Sequence, residues 1–164
     1  DRINRYLETG RSEARVVYSA PPDTLPRAGH YVAPTIFADV EPTSRLVREE
    51  IFGPVLIVQR ARDFDHALEL ANAGMYALTG GLYSRSPAHI ERTRHAFRVG
   101  NLYINRRITG SQVDVQPYGG GRLSGDGARL GGPDYLLQFL RPRTISENTL
   151  RQGLKAEPEP VEAS

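Results

Sequence analysis

A carboxylate and an aromatic ring lie two residues apart at Glu50 and Phe52, immediately before Gly53-Pro54. The apolar run after this pair is typical of a strand covered on both faces, and side chains just before such a strand can project into a cleft. Glu50 and Phe52 are therefore candidate ligand-binding residues. Solvated charges at a helix end are the alternative explanation for the Glu49-Glu50 pair.

A glycine-centred turn, Thr109-Gly110-Ser111, is the second candidate site. A backbone free of Cβ atoms lets consecutive N–H groups converge on an anion, and Arg106 and Arg107 add positive potential nearby. A plain turn fits the same residues, and the spacing alone favours it. The surrounding glycine-rich region, residues 110–132, lacks the Lys-Ser/Thr ending of a P-loop and the strand–helix context of a dinucleotide fingerprint.

Nucleophiles and metal ligands are sparse in this sequence. It contains no cysteine, which excludes a thiol nucleophile, a disulfide framework and a cysteine-based zinc site among these residues. Two of the four histidines lie six residues apart on one predicted helix and so point to different faces. We expect no metal site and surface positions for His30, His66, His89 and His95.

A predicted β-α-β-α-β run in the middle of the chain must position these candidates. Its helices begin at the capping residues Asp63 and Ser86, the second with Pro87 in its first turn, and end at Gly74 and Gly100. The strands are expected over residues 54–61, 78–84 and 101–105. Short connections between such elements predict a parallel sheet with right-handed crossovers, which places the chain in the α/β class.

Shorter elements flank this run. They are a strand over residues 14–19, an extended segment over 31–37, a two-turn helix over 43–50, a short helix over 134–140 and a last strand over 143–146. The end of the chain carries prolines and charged residues without core side chains. Residues 149–164 are therefore expected to be a disordered tail.

Composition narrows the classes of function. The 164 residues suit one domain at most, and 21 basic against 19 acidic side chains give a net charge of +2. The arginines are scattered, whereas a nucleic-acid-binding protein usually carries a clustered basic stripe.

No run approaches the ~20 apolar residues of a membrane helix. We expect a soluble, intracellular protein, and a start at Asp1 without methionine indicates an excised piece.

The segment Glu49-Glu50-Ile51-Phe52-Gly53-Pro54 resembles a motif of the aldehyde dehydrogenase superfamily. Further segments resemble, in order, the branch that oxidises L-glutamate γ-semialdehyde, the 1-pyrroline-5-carboxylate dehydrogenases, which occur alone or within a bifunctional proline-utilisation protein. These segments are residues 100–106, 109–111, 116–120, 123–125 and 131–136. The similarity extends over nearly the whole chain.

The resemblance also implies a domain arrangement. Residues 1–148 would form the C-terminal part of an aldehyde dehydrogenase domain, with the catalytic cysteine and the Rossmann-type NAD-binding portion upstream of Asp1. The 164 residues alone would then be inactive and contain no catalytic residue. The last strand would belong to a flap that pairs across subunits of a homo-oligomer. The complete enzyme would be cytoplasmic, or located in the mitochondrial matrix of a eukaryote.

The resemblance assigns site residues position by position. Glu50 takes the place of the glutamate that hydrogen-bonds the nicotinamide ribose of NAD, and Phe52 that of the aromatic residue beside the nicotinamide. Gly110 and Ser111 match the residues whose backbone N–H groups hold the substrate's α-carboxylate. Tyr118 matches the aromatic residue against the substrate's aliphatic part. Ser111 stands where alanine is usual and Tyr118 where phenylalanine is usual, and the added phenol hydroxyl needs water or a partner.

The function implied by the resemblance is the NAD-dependent oxidation of L-glutamate γ-semialdehyde, a small-molecule substrate, to L-glutamate in proline degradation. Nucleic acid and membrane are not expected partners. Three alternatives stay open: an aldehyde dehydrogenase with another substrate preference, a non-catalytic interaction domain from the same superfamily, and a basic nucleic-acid-binding α/β module. A gel shift with a steep salt dependence would support the last of these.

Overall fold

The computed structural model of the chain describes residues 1–25, 29–125 and 127–148. The helices are α1 (Arg2–Glu13), α2 (Arg45–Arg48), α3 (Phe64–Asn72) and α4 (Pro87–Ala96), with 3₁₀ turns at Pro22–Thr24 and Tyr135–Phe139. The strands are β1 (Arg15–Ser19), β2 (Thr35–Ala38), β3 (Val55–Val58), β4 (Thr79–Leu82) and β5 (Asn101–Ile104). None of the described helices is long and apolar enough to cross a membrane.

The strands form two sheets. In the first, β1 pairs antiparallel with β2, and β2 pairs parallel with β3. In the second, β4 and β5 pair in parallel and are joined by α4, as a βαβ unit requires. The parallel pairing and the α/β class agree with the sequence prediction. The structure differs in separating β3 from β4: among the described strands, β3 bonds only to β2, and none lies between the two sheets.

One face of the first sheet carries the main core. A buried cluster joins α1, β2 and α2 through Leu7, Phe37, Val40, Leu46 and Ile51. Outside this cluster, β3 alternates: Val55 and Ile57 are half-buried, whereas the intervening Leu56 and the last residue, Val58, are 55% and 47% exposed. The prediction that β3 is covered on both faces is therefore wrong for this chain, because α1 and α2 cover one face only.

Helix α1 was not predicted, although a signal for it is present in the sequence. Ile3, Tyr6, Leu7 and Gly10 recur at the helical spacing i, i+3, i+4 and i+7. Gly10 allows the helix to lie close against the sheet, because a Cβ atom there would be 2.4 Å from Cζ of Phe37. Gly10 has a low helix propensity, which weakens the sequence signal for this helix, and the same glycine lets the helix pack against the sheet.

The predicted N-caps of α3 and α4 are confirmed, but the predicted C-terminal end of α4 is wrong. Asp63 accepts a hydrogen bond from the backbone N–H of His66, and Ser86 accepts one from His89. Helix α4, however, ends at Ala96 rather than at Gly100. Gly100 is needed for a different reason: a Cβ atom there would be 1.7 Å from the carbonyl oxygen of Gly119. It permits a close backbone approach and does not cap a helix.

The C-terminal region matches the prediction in part. The short helix expected over residues 134–140 is the 3₁₀ turn Tyr135–Phe139. Residues 143–146 form no strand with any described residue. Their pairing across a subunit interface stays a prediction. The tail predicted over residues 149–164 lies outside the described residues.

Candidate functional site

Helix α1 holds the backbone on which Glu50 and Phe52 lie. The guanidinium of Arg2 donates hydrogen bonds to the carbonyl oxygens of Glu50, at 2.9 Å, and Ile51, at 2.7 Å. Gly53 lies against the next residue of α1, since a Cβ atom at Gly53 would be 2.8 Å from Cδ1 of Ile3. The segment after α2 is thus fixed by residues almost fifty positions earlier in the sequence.

The two adjacent glutamates have different environments. Glu49 accepts a hydrogen bond from the Tyr6 hydroxyl at 2.6 Å and pairs with Arg45 at 2.8 Å. The Arg45 guanidinium, and secondarily the Tyr6 hydroxyl, lower the pKa of Glu49 to about 2. The carboxylate of Glu50 is exposed and has no hydrogen-bond partner among the described residues. Glu49 is therefore a structural residue, and Glu50 is the one free to accept bonds from a ligand.

Phe52 is held in an uncommon backbone conformation. Its φ is +54°, in the left-handed region, and its side chain is 82% exposed. Such a conformation costs a non-glycine residue on the order of 1–3 kcal/mol and is concentrated at functional sites. Glu50 and Phe52 together line an open cavity of about 580 Å³, along with Arg2 and Val32. The structure thus brings together the first two predicted site residues.

The other three predicted residues line a second cavity. Gly110, Ser111 and Tyr118 lie around an open space of about 500 Å³ next to the sheet formed by β4 and β5. Gly110 has φ +83°, and no atom of the described residues lies within 4 Å of the position of a Cβ there. Neither Gly110 nor Ser111 donates a backbone hydrogen bond to another described residue. Two adjacent N–H groups are therefore available to an anion, as the nest interpretation requires.

The hydroxyl of Ser111 has a specific partner. It lies 2.6 Å from the hydroxyl of Tyr103, which is a buried residue of β5. The guanidinium of Arg106 lies over the Tyr103 ring, 5.1 Å from its centroid. Ser111, at a position where alanine is usual, thus connects the turn to β5 through a side-chain hydrogen bond. Sequence reasoning missed Tyr103, since only the fold brings its hydroxyl to Ser111.

Tyr118 is positioned by a side-chain amide that bridges its neighbours. Asn101, the first residue of β5, donates from Nδ2 to the carbonyl of Pro117 at 2.9 Å and accepts from the N–H of Gly119 at 3.1 Å. Tyr118 itself exchanges backbone hydrogen bonds with Leu130 in an antiparallel bridge. Its hydroxyl has no partner among the described residues, so this group is free to bind water or a ligand.

The two cavities share no lining residue and contain no metal-ligand cluster. No group of three or more His, Asp or Glu residues within the described ranges could hold a metal ion. His89 stacks on Phe64 with ring centroids 3.9 Å apart, and His95 pairs with Glu91 at 2.8 Å. The described part of the chain therefore offers polar and aromatic groups for binding, and the chain has no cysteine to act as a nucleophile.

Comparison with known sequences gives a family and a set of relatives. The sequence model described as the aldehyde dehydrogenase family matches residues 1–145. The 1-pyrroline-5-carboxylate dehydrogenases of Geobacillus thermodenitrificans (strain NG80-2) and Bacillus subtilis (strain 168) are each 48% identical to this chain over 147 residues. The aligned part is 90% of this chain but 28% of each relative, so the chain spans less than a third of their length.

Comparison with solved structures agrees with this result. A 1-pyrroline-5-carboxylate dehydrogenase from Thermus with bound NAD superimposes with a TM-score of 0.80 at 49% identity, covering 85% of this chain and 27% of that one. Proline utilization A from Bdellovibrio bacteriovorus gives a TM-score of 0.84 at 45% identity, covering 96% of this chain and 16% of that one. These similarities confirm the predicted fold class.

Proposed function

This chain belongs to the aldehyde dehydrogenase family, and on that premise we propose that it provides ligand-binding surfaces of an NAD-dependent enzyme oxidising L-glutamate γ-semialdehyde to L-glutamate. The chain would correspond to the C-terminal part of the aldehyde dehydrogenase domain. One observation carries the proposal: the unpaired N–H groups of Gly110 and Ser111 and the ring of Tyr118 line one cavity.

The cavity next to the second sheet suits a substrate with a carboxylate at one end. Two adjacent backbone N–H groups can donate charge-assisted hydrogen bonds to a carboxylate, and such bonds are about twice as strong as neutral ones. The ring of Tyr118 and the side chains of Ile108 and Val113 offer apolar surface for a short aliphatic chain. Binding at the carboxylate would orient the remote aldehyde for reaction.

The cavity beside α1 fits part of a nicotinamide cofactor. Its free carboxylate, Glu50, can accept hydrogen bonds from both hydroxyls of a ribose, and its exposed ring, Phe52, can pack against a planar heterocycle. The Arg2 hydrogen bonds hold the backbone from which both side chains project. When bound, NAD supplies the hydride acceptor, and Glu50 and Phe52 hold and orient it.

A thiol nucleophile is required for this class of oxidation, and none of the 164 residues is a cysteine. We therefore propose that the isolated chain binds ligands without oxidising an aldehyde. NADH formation by the purified 164 residues with L-glutamate γ-semialdehyde would contradict this part of the proposal.

The proposal is tested by replacing the matched 147-residue segment of a curated relative with the corresponding part of this chain and then changing Gly110 to valine. A branched side chain at φ +83° shifts the turn and displaces both N–H groups. We expect KM for L-glutamate γ-semialdehyde to rise at least about tenfold, which corresponds to about 1.4 kcal/mol of lost binding. KM for pentanal, which lacks both the carboxylate and the α-ammonium, should change less than about twofold.

Gly121→Val is the matched control, because Gly121 has open space around its Cβ position and a φ outside the left-handed region. This variant should leave both KM values unchanged. Equal losses with the two aldehydes in Gly110→Val would refute the assignment of the carboxylate anchor.

The assembly state and the compartment are also proposals. A set of large apolar side chains near the C-terminal end of the described chain is exposed: Leu136, Leu137, Phe139, Leu140 and Ile145. Exposed apolar surface of this kind supports a homo-oligomer of the enzyme. A monomeric mass of the enzyme in light scattering would contradict the proposed homo-oligomer. We propose the cytoplasm as the compartment of the enzyme, or the mitochondrial matrix in a eukaryote, with cell fractionation as the test.

A further inference from the structure

The turn that carries Gly110 and Ser111 has little backbone support. No backbone–backbone hydrogen bond joins residues 106–111 to another described residue. Ile108 packs on β4, since a Cβ atom at Gly81 would be 2.6 Å from its Cγ2. A segment with so few hydrogen bonds moves easily unless its side chains hold it. The direction of the two free N–H groups therefore depends on side-chain contacts at their end of the turn.

The hydroxyl of Ser111 makes the contact that holds this end. It lies 2.6 Å from the Tyr103 hydroxyl, and this is the only side-chain hydrogen bond that residues 106–111 make within the described ranges. Tyr103 is 5% exposed and pairs with Gly81 of β4 in the parallel ladder. Its ring also lies beneath the guanidinium of Arg106, whose central carbon is 5.1 Å from the ring centroid. The Tyr103 hydroxyl is thus a fixed point on the sheet to which the turn is attached.

We propose that Tyr103 is a positioning residue: by holding the Ser111 hydroxyl, it fixes the N–H groups of Gly110 and Ser111 in the orientation that binds the substrate's carboxylate. This inference rests on the proposed function, because it assumes that these N–H groups bind the carboxylate. Tyr103 is not among the residues that line the cavity, so it acts through Ser111 and not by contact with the ligand. Donors that are fixed before the ligand arrives bind it more tightly, because less ordering is needed on binding.

The first test measures the order of the turn in the free 164-residue chain by NMR relaxation. In the wild-type chain, the N–H groups of Gly110 and Ser111 should have order parameters near the value of rigid backbone, about 0.85. Tyr103→Phe removes only the hydroxyl, and both order parameters should then fall toward about 0.6, the upper limit of flexible backbone. Ser111→Ala should give the same fall at Gly110. An unchanged order parameter at Gly110 in a folded Tyr103→Phe variant would overturn the inference.

The second test titrates the same chain with L-glutamate, the product of the proposed reaction, and follows the amide signals of Gly110 and Ser111. Tyr103→Phe should weaken binding about fivefold, the factor that corresponds to one hydrogen bond of about 1 kcal/mol. Ser111→Ala should weaken it by the same factor, and the double variant by no more, because all three lack the same hydrogen bond. A much larger loss in Ser111→Ala would show that the serine hydroxyl contacts the ligand itself. That result, or losses that multiply in the double variant, contradicts a role of Tyr103 through Ser111.

Tyr83→Phe is the matched control, because it also removes a phenol hydroxyl. Tyr83 is 70% exposed, and its hydroxyl has no hydrogen-bond partner among the described residues. This variant should keep the wild-type order parameters and affinity. A thermal melt of each variant reports whether it folds. Should Tyr103→Phe fail to fold, Ser111→Ala decides the matter by the order parameter of Gly110, since the loss of a ligand contact alone would leave the free chain unchanged.

The outcomes separate this inference from the function on which it rests. Wild-type affinity for L-glutamate in a folded Tyr103→Phe variant would overturn the role of Tyr103 and leave the carboxylate anchor intact. Failure of the wild-type chain to bind L-glutamate would instead refute the anchor at Gly110 and Ser111, and the role of Tyr103 in binding with it. Binding that leaves the amide signals of Gly110 and Ser111 unchanged would refute the anchor in the same way.

Discussion

Replacing Gly100 by alanine should displace the segment that carries Tyr118. A Cβ atom at position 100 would lie 1.7 Å from the carbonyl oxygen of Gly119 and 2.8 Å from Cα of Gly120, and both are backbone atoms. A side-chain rotation cannot relieve these overlaps. Ordinary van der Waals contact begins near 3.4 Å, so the Gly119 backbone must move by more than 1.5 Å, on the order of half a van der Waals diameter.

The size of the effect follows from the hydrogen bonds that this movement breaks. Asn101 makes two of them, to Pro117 and Gly119, and the N–H of Gly121 donates a third to Ala77 at 3.1 Å. Each such bond contributes about 1 kcal/mol to stability, so their loss predicts a free energy of unfolding lower by about 3 kcal/mol. Any remaining overlap adds to this figure, since overpacking costs about 1–3 kcal/mol.

The measurement is urea denaturation of the 164-residue chain, followed by circular dichroism. Gly121→Ala is the control, because its Cβ meets no described atom within 4 Å and its φ lies outside the left-handed region. It should be neutral or stabilising by up to about 1 kcal/mol, since alanine has less conformational freedom when unfolded. A Gly100→Ala variant within about 0.5 kcal/mol of Gly121→Ala would refute the close-approach argument.

Three further predictions concern single interactions. The pKa of Glu49 is lowered from 4.5 to about 2, so the stability contributed by its pairing with Arg45 is present above pH 4.5 and is lost as the pH falls toward 2. Glu49→Gln should flatten the dependence of the unfolding free energy on pH in that window, and a variant with the wild-type slope would contradict this. Tyr103→Phe and Ser111→Ala should show a coupling energy of about 0.5–1.5 kcal/mol in a double-mutant cycle of stability, because each removes the same hydrogen bond; strict additivity would exclude it. Phe52→Asn should raise stability by about 1 kcal/mol, since asparagine tolerates φ +54° and little ring surface is buried, while NAD binding in the segment chimera weakens; a less stable variant would show that the exposed ring packs against the fold.

Local signals made much of the fold predictable. Asp63 and Ser86 place polar side chains at the start of apolar periodic segments, and an N-cap acts within three residues of itself, so both caps could be predicted from neighbours alone. The expected strands 78–84 and 101–105 became the shorter β4 and β5. The separation of β3 from β4 and the exposed face of β3 could not be predicted, because adjacency between sheets depends on contacts distant in sequence.

In the candidate site, too, some residues could be predicted from the sequence and others could not. The difference lies in how strictly the role of each residue fixes its type. Ligand binding requires particular residue types at Glu50, Gly110 and Tyr118, namely a carboxylate, a glycine and an aromatic ring, so these residues can be recognised in a sequence motif. The residues that position them are less restricted in type. Arg2 donates to a carbonyl 48 positions away, and any donor of that reach would fix the same backbone. Its role is visible only once α1 is folded against the sheet.

The same reasoning explains why Gln116 stands out only in the structure. In the sequence it is one residue of a quoted motif, and an amide side chain there is equally compatible with a solvated turn. Folding removes water from its oxygen without supplying a donor, while the neighbouring polar groups Asn101 and Ser111 acquire partners within the chain. Whether that oxygen finds a donor depends on packing between segments that only the fold brings together, so the sequence could not show that it has none among the described residues.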